Sequence, residues 1–221
     1  MGKTILTPRQ LDFLALAAKE PWLVKSFYLT GGTALAEFHL HHRLSEDLDF
    51  FTETAEVNPI VTESFLKKMS PHLGINQLKR AQFLGLVSFV LEYSDGDKLK
   101  VDFNYYPFPR INLGLKFRGL DIDSLEDIAV NKVHTLFMRP RFRDYIDLYC
   151  IMNHTHFDLQ KLIINAKSKF DWHIDPVTLA SQFARVKELK DFPKMLIPFD
   201  PKDMESFFLK LAKDLDKEIF K

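Results

Sequence analysis

One change of pattern constrains this chain more than anything else in it. From Ile75 to Phe108 the sequence INQLKRAQFLGLVSFVLEYSDGDKLKVDFNYYPF sets apolar runs on either side of an Asp-Gly turn signal, SDGD. That arrangement predicts two or three antiparallel strands. After FRGLDIDS the character changes: SLEDIAVNKVHTLFM opens on Ser124 as a helix cap, with Asp127 where a capping box usually has Glu or Gln. From there helical segments run to the C-terminus. The expected fold class is therefore α+β, an α/β core over residues 1–122 followed by an all-helical region over 123–221.

The segments before residue 75 fit the first half of that division. Thr7 caps a helix with Pro8 at its first position, and Leu11, Leu14 and Ala18 recur at helical spacing. SFYLT reads as a short buried strand running into Gly31 and Gly32, Thr33 to about His42 reads as a helix, and DLDFF alternates like a strand. Asn58 and Pro59 begin a further helix. Phenylalanine is abundant, 21 residues, and its spacing within these segments is that of core packing.

At 221 residues the chain can bury a full core, and its thirty basic residues balance thirty acidic ones. No global positive field draws it to nucleic acid, so any such contact must be a local patch. The tightest basic cluster is RPRFR, Arg139 to Arg143, equally readable as a phosphate or RNA contact and as a solvated surface. Cys150 is the only cysteine, which excludes an intrachain disulfide and a cysteine-based zinc site; its apolar surroundings predict an inert thiol. MGKTILTPRQ has no signal-peptide core, Gly2 is a poor myristoylation site, and no apolar run approaches the roughly 18 residues of a membrane span. A cytoplasmic protein without membrane contact is expected.

The chemistry-bearing residues begin with Asp47 and Asp49, which flank Leu48 on a strand and so project to one face. Two carboxylates held together repel unless a divalent cation lies between them; the plain alternative is a solvated strand edge. Asp102, in KLKVDFNYY, falls on the side of its strand opposite Val101, Phe103 and Tyr105. If that strand lies beside DLDFF, three oxygen donors converge as a Mg²⁺ site for phosphoryl transfer requires. Otherwise Asp102 pairs with Lys98 or Lys100 across an exposed sheet face. Gly31 and Gly32, between a strand and a helix, let a phosphate approach backbone N–H groups, and the Thr33 hydroxyl can add a donor; the same pair is also ordinary turn chemistry.

These residues, in this order, resemble the nucleotidyltransferase superfamily of the DNA polymerase β type: strand, Gly-[Gly/Ser] opening a helix, Asp-x-[Asp/Glu] on the next strand, and a third acid on a later one. The closer resemblance is to the AbiEii/AbiGii-type toxin family. GGTAL at 31–35 and RLSEDLDFF at 43–51 reproduce its first motif, and LEDIAVNKVHTLFMRPRFRDYIDLY at 125–149 is similar to its second. The resemblance implies a nucleotidyltransferase-type mixed sheet with flanking helices, and transfer of a nucleoside monophosphate from an NTP to a hydroxyl with release of pyrophosphate. It implies Mg²⁺ or Mn²⁺ on Asp47, Asp49 and Asp102, with Asp102 activating the acceptor. It implies Lys132 on the nucleotide phosphates and matches Asp144 and Asp147 to the family's Arg-Asp-x-x-Asp carboxylates. The acceptor it implies is RNA, such as a tRNA 3′ end, and the biology that of a toxin with an antitoxin partner. A small-molecule or protein hydroxyl acceptor, or a non-catalytic binding module of the same fold, are the alternatives.

Three roles stay open on the sequence. Asp144 can pair with Lys132 or Arg143 or meet ribose hydroxyls. Arg43 can touch a phosphate or pair with Glu46 or Glu37. Of His39, His41 and His42, the first and last share a helix face, which argues against a zinc cluster.

Overall fold

The computed structural model describes residues 4–188 and 191–219, the last four of these by backbone alone, so the reading of Gly2 lies outside it. The chain divides into two compact units. The first comprises Met1–His39, Leu44–Pro109 and Leu113–Ser124; the second comprises Leu40–Arg43, Arg110–Asn112 and Leu125–Lys221. The sequence reading drew a single boundary at residue 122. The division instead falls after Ser124 and assigns two short loop segments to the helical unit.

The first unit is built on a seven-stranded sheet: β1 Tyr28–Thr30, β2 Leu48–Thr52, β3 Ile75–Phe83, β4 Leu86–Tyr93, β5 Lys98–Tyr105, β6 Lys116–Phe117 and β7 Leu120–Ile122. Their spatial order is β3-β4-β5-β2-β1-β7-β6. The three strands expected around SDGD are β3, β4 and β5, paired antiparallel. Strand β2 pairs parallel with β5 and antiparallel with β1, and β1 pairs parallel with β7, so the sheet is mixed.

Helix α1, Pro8–Ala17, starts as expected, with the Thr7 hydroxyl accepting from the Gln10 amide and the Gln10 side chain accepting from the Thr7 amide. Helix α2, Pro21–Ser26, was not anticipated; it is a six-residue element with Pro at its first position and no side-chain cap. Helix α3, Gly31–Leu35, passes into a π-helical turn, Ala36–Leu40, so the helix expected to reach His42 ends earlier, before His41 at φ 50°. Helix α4, Pro59–Leu73, is capped by Asn58 and closed by Gly74 in the left-handed conformation. Phe103 centres the core beneath the sheet: Phe50 stacks on it at 5.3 Å, while Phe27 and Phe89 meet it edge-on at 5.4 and 6.2 Å.

The second unit is helical: α5 Leu125–Met138, α6 Phe142–His154, α7 Leu159–Phe170, α8 Pro176–Ala184 and α9 Pro201–Ile219, with a 3₁₀ turn at Arg185–Glu188. Its core joins Tyr145, Phe183 and Phe208, with ring centroids 5.1 and 5.3 Å apart, and the Tyr145 hydroxyl donates to the Gln182 carbonyl at 2.6 Å. Lys169 and Asp127 form a buried ion pair of 2.7 Å, and the Ile111 and Asn112 amides also donate to the Asp127 carboxylate. Among the described residues no helix is long and apolar enough to cross a membrane.

Candidate active site

Strand β2 alternates as the sequence required: Leu48, Phe50 and Thr52 are buried, and Asp49 lies on the opposite face. What the sequence could not supply is the neighbour. In the parallel β2–β5 pair Asp49 stands in register with Asp102, as Phe50 does with Phe103. Partners in a parallel pair project to the same side, about 4.8 Å apart along the sheet. The two carboxylates therefore rise side by side from the face away from the phenylalanine core. Asp47 immediately precedes β2, two residues from Asp49 and half-buried.

The glycine pair sits against this site. Thr30 pairs with Asp49 across β1 and β2, and Gly31 follows at φ 73°, a conformation side-chain-bearing residues rarely adopt. A Cβ on Gly31 would collide with the Asp49 carboxylate, so glycine is required here for conformation and for space. The buried Thr33 hydroxyl donates to the backbone carbonyl of Asp47. That contact uses its one proton, so in this structure Thr33 positions Asp47 rather than offering a donor outward.

Asp102 is buried and held by two partners. Ser88, its register partner in β4, donates its hydroxyl to one carboxylate oxygen at 2.5 Å, and the Lys100 ammonium donates to the other. Lys100 also lies 3.8 Å from the Asp47 carboxylate. Partial burial pulls the Lys100 pKa down, but the carboxylates of Asp102, Asp47 and Asp49 outweigh it and hold the group above its ordinary value. One ammonium thus feels all three acids. Among the described residues no three His, Cys, Asp or Glu side chains yet stand close enough to grip a metal ion together, and Lys100 is the cation at that point. Oxygen donors on a common face are nevertheless what a hard divalent cation needs, so the donor set fits Mg²⁺ or Mn²⁺ once Lys100 gives way.

The remaining expected residues gather inside the helical unit. Arg43, almost fully buried, grips Asp147 with two bonds, Nε at 2.6 Å and Nη2 at 2.9 Å. The sequence left Arg43 a phosphate contact or a pair with Glu46 or Glu37; the pair the structure shows is with Asp147, a correction to the glutamate reading, and Glu37 accepts from the Thr4 hydroxyl and the Ile5 amide. The Lys132 ammonium lies 2.7 Å from both Asp144 and Asp147. Asp144 additionally accepts from the Arg141 amide at 3.0 Å, capping α6 from within its first turn. Of the partners proposed for Asp144, the structure shows Lys132. Burial opposes the charge on Asp147, yet Lys132 and Arg43 hold its pKa well below the ordinary carboxylate value. The same carboxylates, working against burial, raise that of Lys132.

The histidines do not share a task. His39 donates from Nε2 to the Asp123 carbonyl at 3.0 Å within the α/β unit, and His42 donates from Nε2 to Asp147 at 2.9 Å within the helical unit. Asp147 was matched on the sequence only as one carboxylate of a motif; as a shared acceptor it joins Lys132, on the neighbouring helix, to His42 and Arg43, more than a hundred positions before it. Cys150 is buried, and burial together with Asp147 pushes its thiol up to about 12.

A mixed sheet carrying acids on neighbouring strands beside a strand-glycine-helix turn is the architecture of the nucleotidyltransferase fold. The backbone agrees with solved examples: JHP933 from Helicobacter pylori matches with a TM-score of 0.60, 21% identity and coverage of 96% of this chain and 94% of that one. A second H. pylori structure, described as a candidate nucleotidyltransferase, matches with a TM-score of 0.62, 21% identity and coverage of 96% and 97%. In sequence, the uncharacterized protein aq_aa25 of Aquifex aeolicus is 30% identical over 154 residues, 67% of this chain and 68% of its own length. Residues 14–217 match the family described as "Nucleotidyl transferase AbiEii toxin, Type IV TA system", and the chain belongs to that family of nucleotidyltransferases.

Proposed function

We propose that the α/β unit transfers a nucleoside monophosphate from an NTP to a hydroxyl acceptor with release of pyrophosphate, using a divalent cation on Asp47, Asp49 and Asp102. The observation that carries this reading is the register of Asp49 and Asp102 beside Gly31, where a side chain would collide with a carboxylate. Bound there, Mg²⁺ or Mn²⁺ would supply charge stabilisation for the transferring phosphoryl group. The protein's own contributions are separable from it. Asp102, held by the Ser88 hydroxyl, accepts the proton of the incoming hydroxyl. The turn at Gly31 and Gly32 presents backbone N–H groups to nucleotide phosphates. For Lys132 we propose contact with those phosphates, and for Asp144 the support of that lysine seen in their 2.7 Å ion pair.

The acceptor we propose is RNA, such as a tRNA 3′ end, in a cytoplasmic setting; the family's description as the toxin of a TA system supports an antitoxin as the protein that restrains it. The exact balance of thirty basic and thirty acidic residues favours testing small-molecule and protein hydroxyls as well. The test is label transfer from each of the four α-³²P-labelled NTPs to total tRNA, to total protein and to small hydroxyl compounds, with Mg²⁺ or Mn²⁺, comparing the native chain with Asp47→Ala. Label moved to tRNA by the native chain alone supports the whole reading. Label on another acceptor retains the activity and replaces the substrate. Neither transfer nor NTP binding would sink the assignment.

A further inference from the structure

Lys100 is two residues before Asp102 on β5, so both side chains leave the same face of the strand. Its ammonium donates to Asp102 and approaches Asp47 to 3.8 Å, and the field of Asp49 reaches it too. A lysine on an exposed strand face would ordinarily extend into water, at no cost in side-chain freedom. Here the side chain turns across the acidic cluster and remains 41% exposed, so a path for withdrawal stays open. Two positive charges cannot share that point: a divalent cation held by Asp47 and Asp102 would repel the ammonium, and partial burial strengthens that repulsion.

We propose that Lys100 is the built-in counter-ion of the carboxylate cluster, holding Asp47 and Asp102 together in the absence of a divalent cation and leaving them when one binds. Lys100 is thereby a positioning residue that sets the metal affinity of the site. The inference rests on the reading of Asp47, Asp49 and Asp102 as metal ligands, and it adds something that reading does not contain: the site discriminates against free metal because it carries its own cation. Removing the lysine charge removes a competitor and leaves three acids uncompensated, and both effects tighten metal binding. A guanidinium in its place, with a planar fork suited to carboxylates, competes harder.

The experiment is direct titration of Mn²⁺, followed by its electron paramagnetic resonance signal, into the full chain without nucleotide. The variants are Lys100→Met, Lys100→Gln and Lys100→Arg, with Asp49→Asn as the control for the ligand set. The expected result is Mn²⁺ binding about tenfold tighter in Lys100→Met and Lys100→Gln, weaker in Lys100→Arg, and lost in Asp49→Asn. Binding that Asp49→Asn abolishes but that stays unchanged or weakens in Lys100→Met and Lys100→Gln overturns the role of Lys100 and leaves the metal reading intact. No Mn²⁺ binding in the native chain or any lysine variant overturns the metal reading and this inference with it. A second measurement needs no variant to fold: after ¹³C reductive methylation of the native chain, the Lys100 resonance is expected to move on addition of Mg²⁺. A resonance that ignores saturating Mg²⁺ overturns displacement.

Discussion

Asp49 and Asp102 are register partners in the parallel pair of β2 and β5, and their carboxylates leave the sheet on the face opposite the stacked rings of Phe50 and Phe103. The same pairing that builds the core therefore builds the acidic site. A slip of one residue in this register would turn the acids into the phenylalanine layer, so packing and chemistry select one alignment together.

On the proposed function, transfer requires both acids, while the core beneath them does not. Asp49→Asn and Asp102→Asn are each expected to lower nucleotidyl transfer by at least a hundredfold, the scale of a lost proton acceptor or metal ligand. Both variants keep the side-chain volume and are expected to melt within a few degrees of the native chain. Initial rates with labelled NTP beside thermal melts check this; a variant that melts normally and retains full activity removes that residue from the site.

Gly31→Ala combines two penalties. The left-handed backbone alone costs about 1–2 kcal/mol for a residue with a Cβ, and that Cβ meets the Asp49 carboxylate. For a chain of this size each kcal/mol lowers the melting temperature by about 2–4 °C. Displacement of Asp49 is expected to reduce activity beyond what the loss of stability explains, which rates measured well below the melting temperature will show.

Asp147 is a matter of stability. Asp147→Ala leaves Arg43 and Lys132 buried without their common acceptor, and removal of one partner from a buried pair costs about 3–5 kcal/mol. Because the folded chain holds Asp147 below its ordinary pKa, the stabilisation is complete above the unfolded value near about 3.9. It is lost as pH falls through the lower, folded value. Urea unfolding midpoints are expected to be level on this account above about pH 5 and to fall with acidification below it.

Lys132 separates structure from binding by comparison with its partner. Lys132→Gln is expected to raise the KM for NTP by about tenfold, as loss of one charged phosphate contact would. Asp144→Asn leaves Lys132 paired with Asp147 and is expected to change KM less. Equal KM values in the native chain and Lys132→Gln would confine this lysine to its ion pairs.

Cys150 gives a negative expectation that is simple to measure. With its thiol buried and pushed up to about 12, the folded chain is expected not to react with a thiol-disulfide reagent at pH 8, and to react with one equivalent once unfolded.

Several features were legible without coordinates because they are local. The Thr7 and Asn58 caps, the hairpins around the Asp-Gly turn, the facing of Asp49 away from Leu48 and Phe50, and the switch to helices after Ser124 all depend on residues a few positions apart. Backbone geometry and side-chain period settle those directly. The partner of Arg43 lay beyond that reach. Nearby glutamates were equally plausible to a reader of the sequence, whereas Asp147 comes within 2.6 Å only because the helical unit folds around the short Leu40–Arg43 segment. Likewise, the sequence by itself determined that Asp49 and Asp102 each face away from the core, whereas Asp47, expected on the same strand, lies just before it. Only the tertiary structure decided that β5 lies parallel beside β2, that Asp102 stands level with Asp49, and that Lys100 leans across them. The reason is physical: spacing along a strand determines which face a side chain takes, but which strands become neighbours is decided by burial summed over the whole sheet.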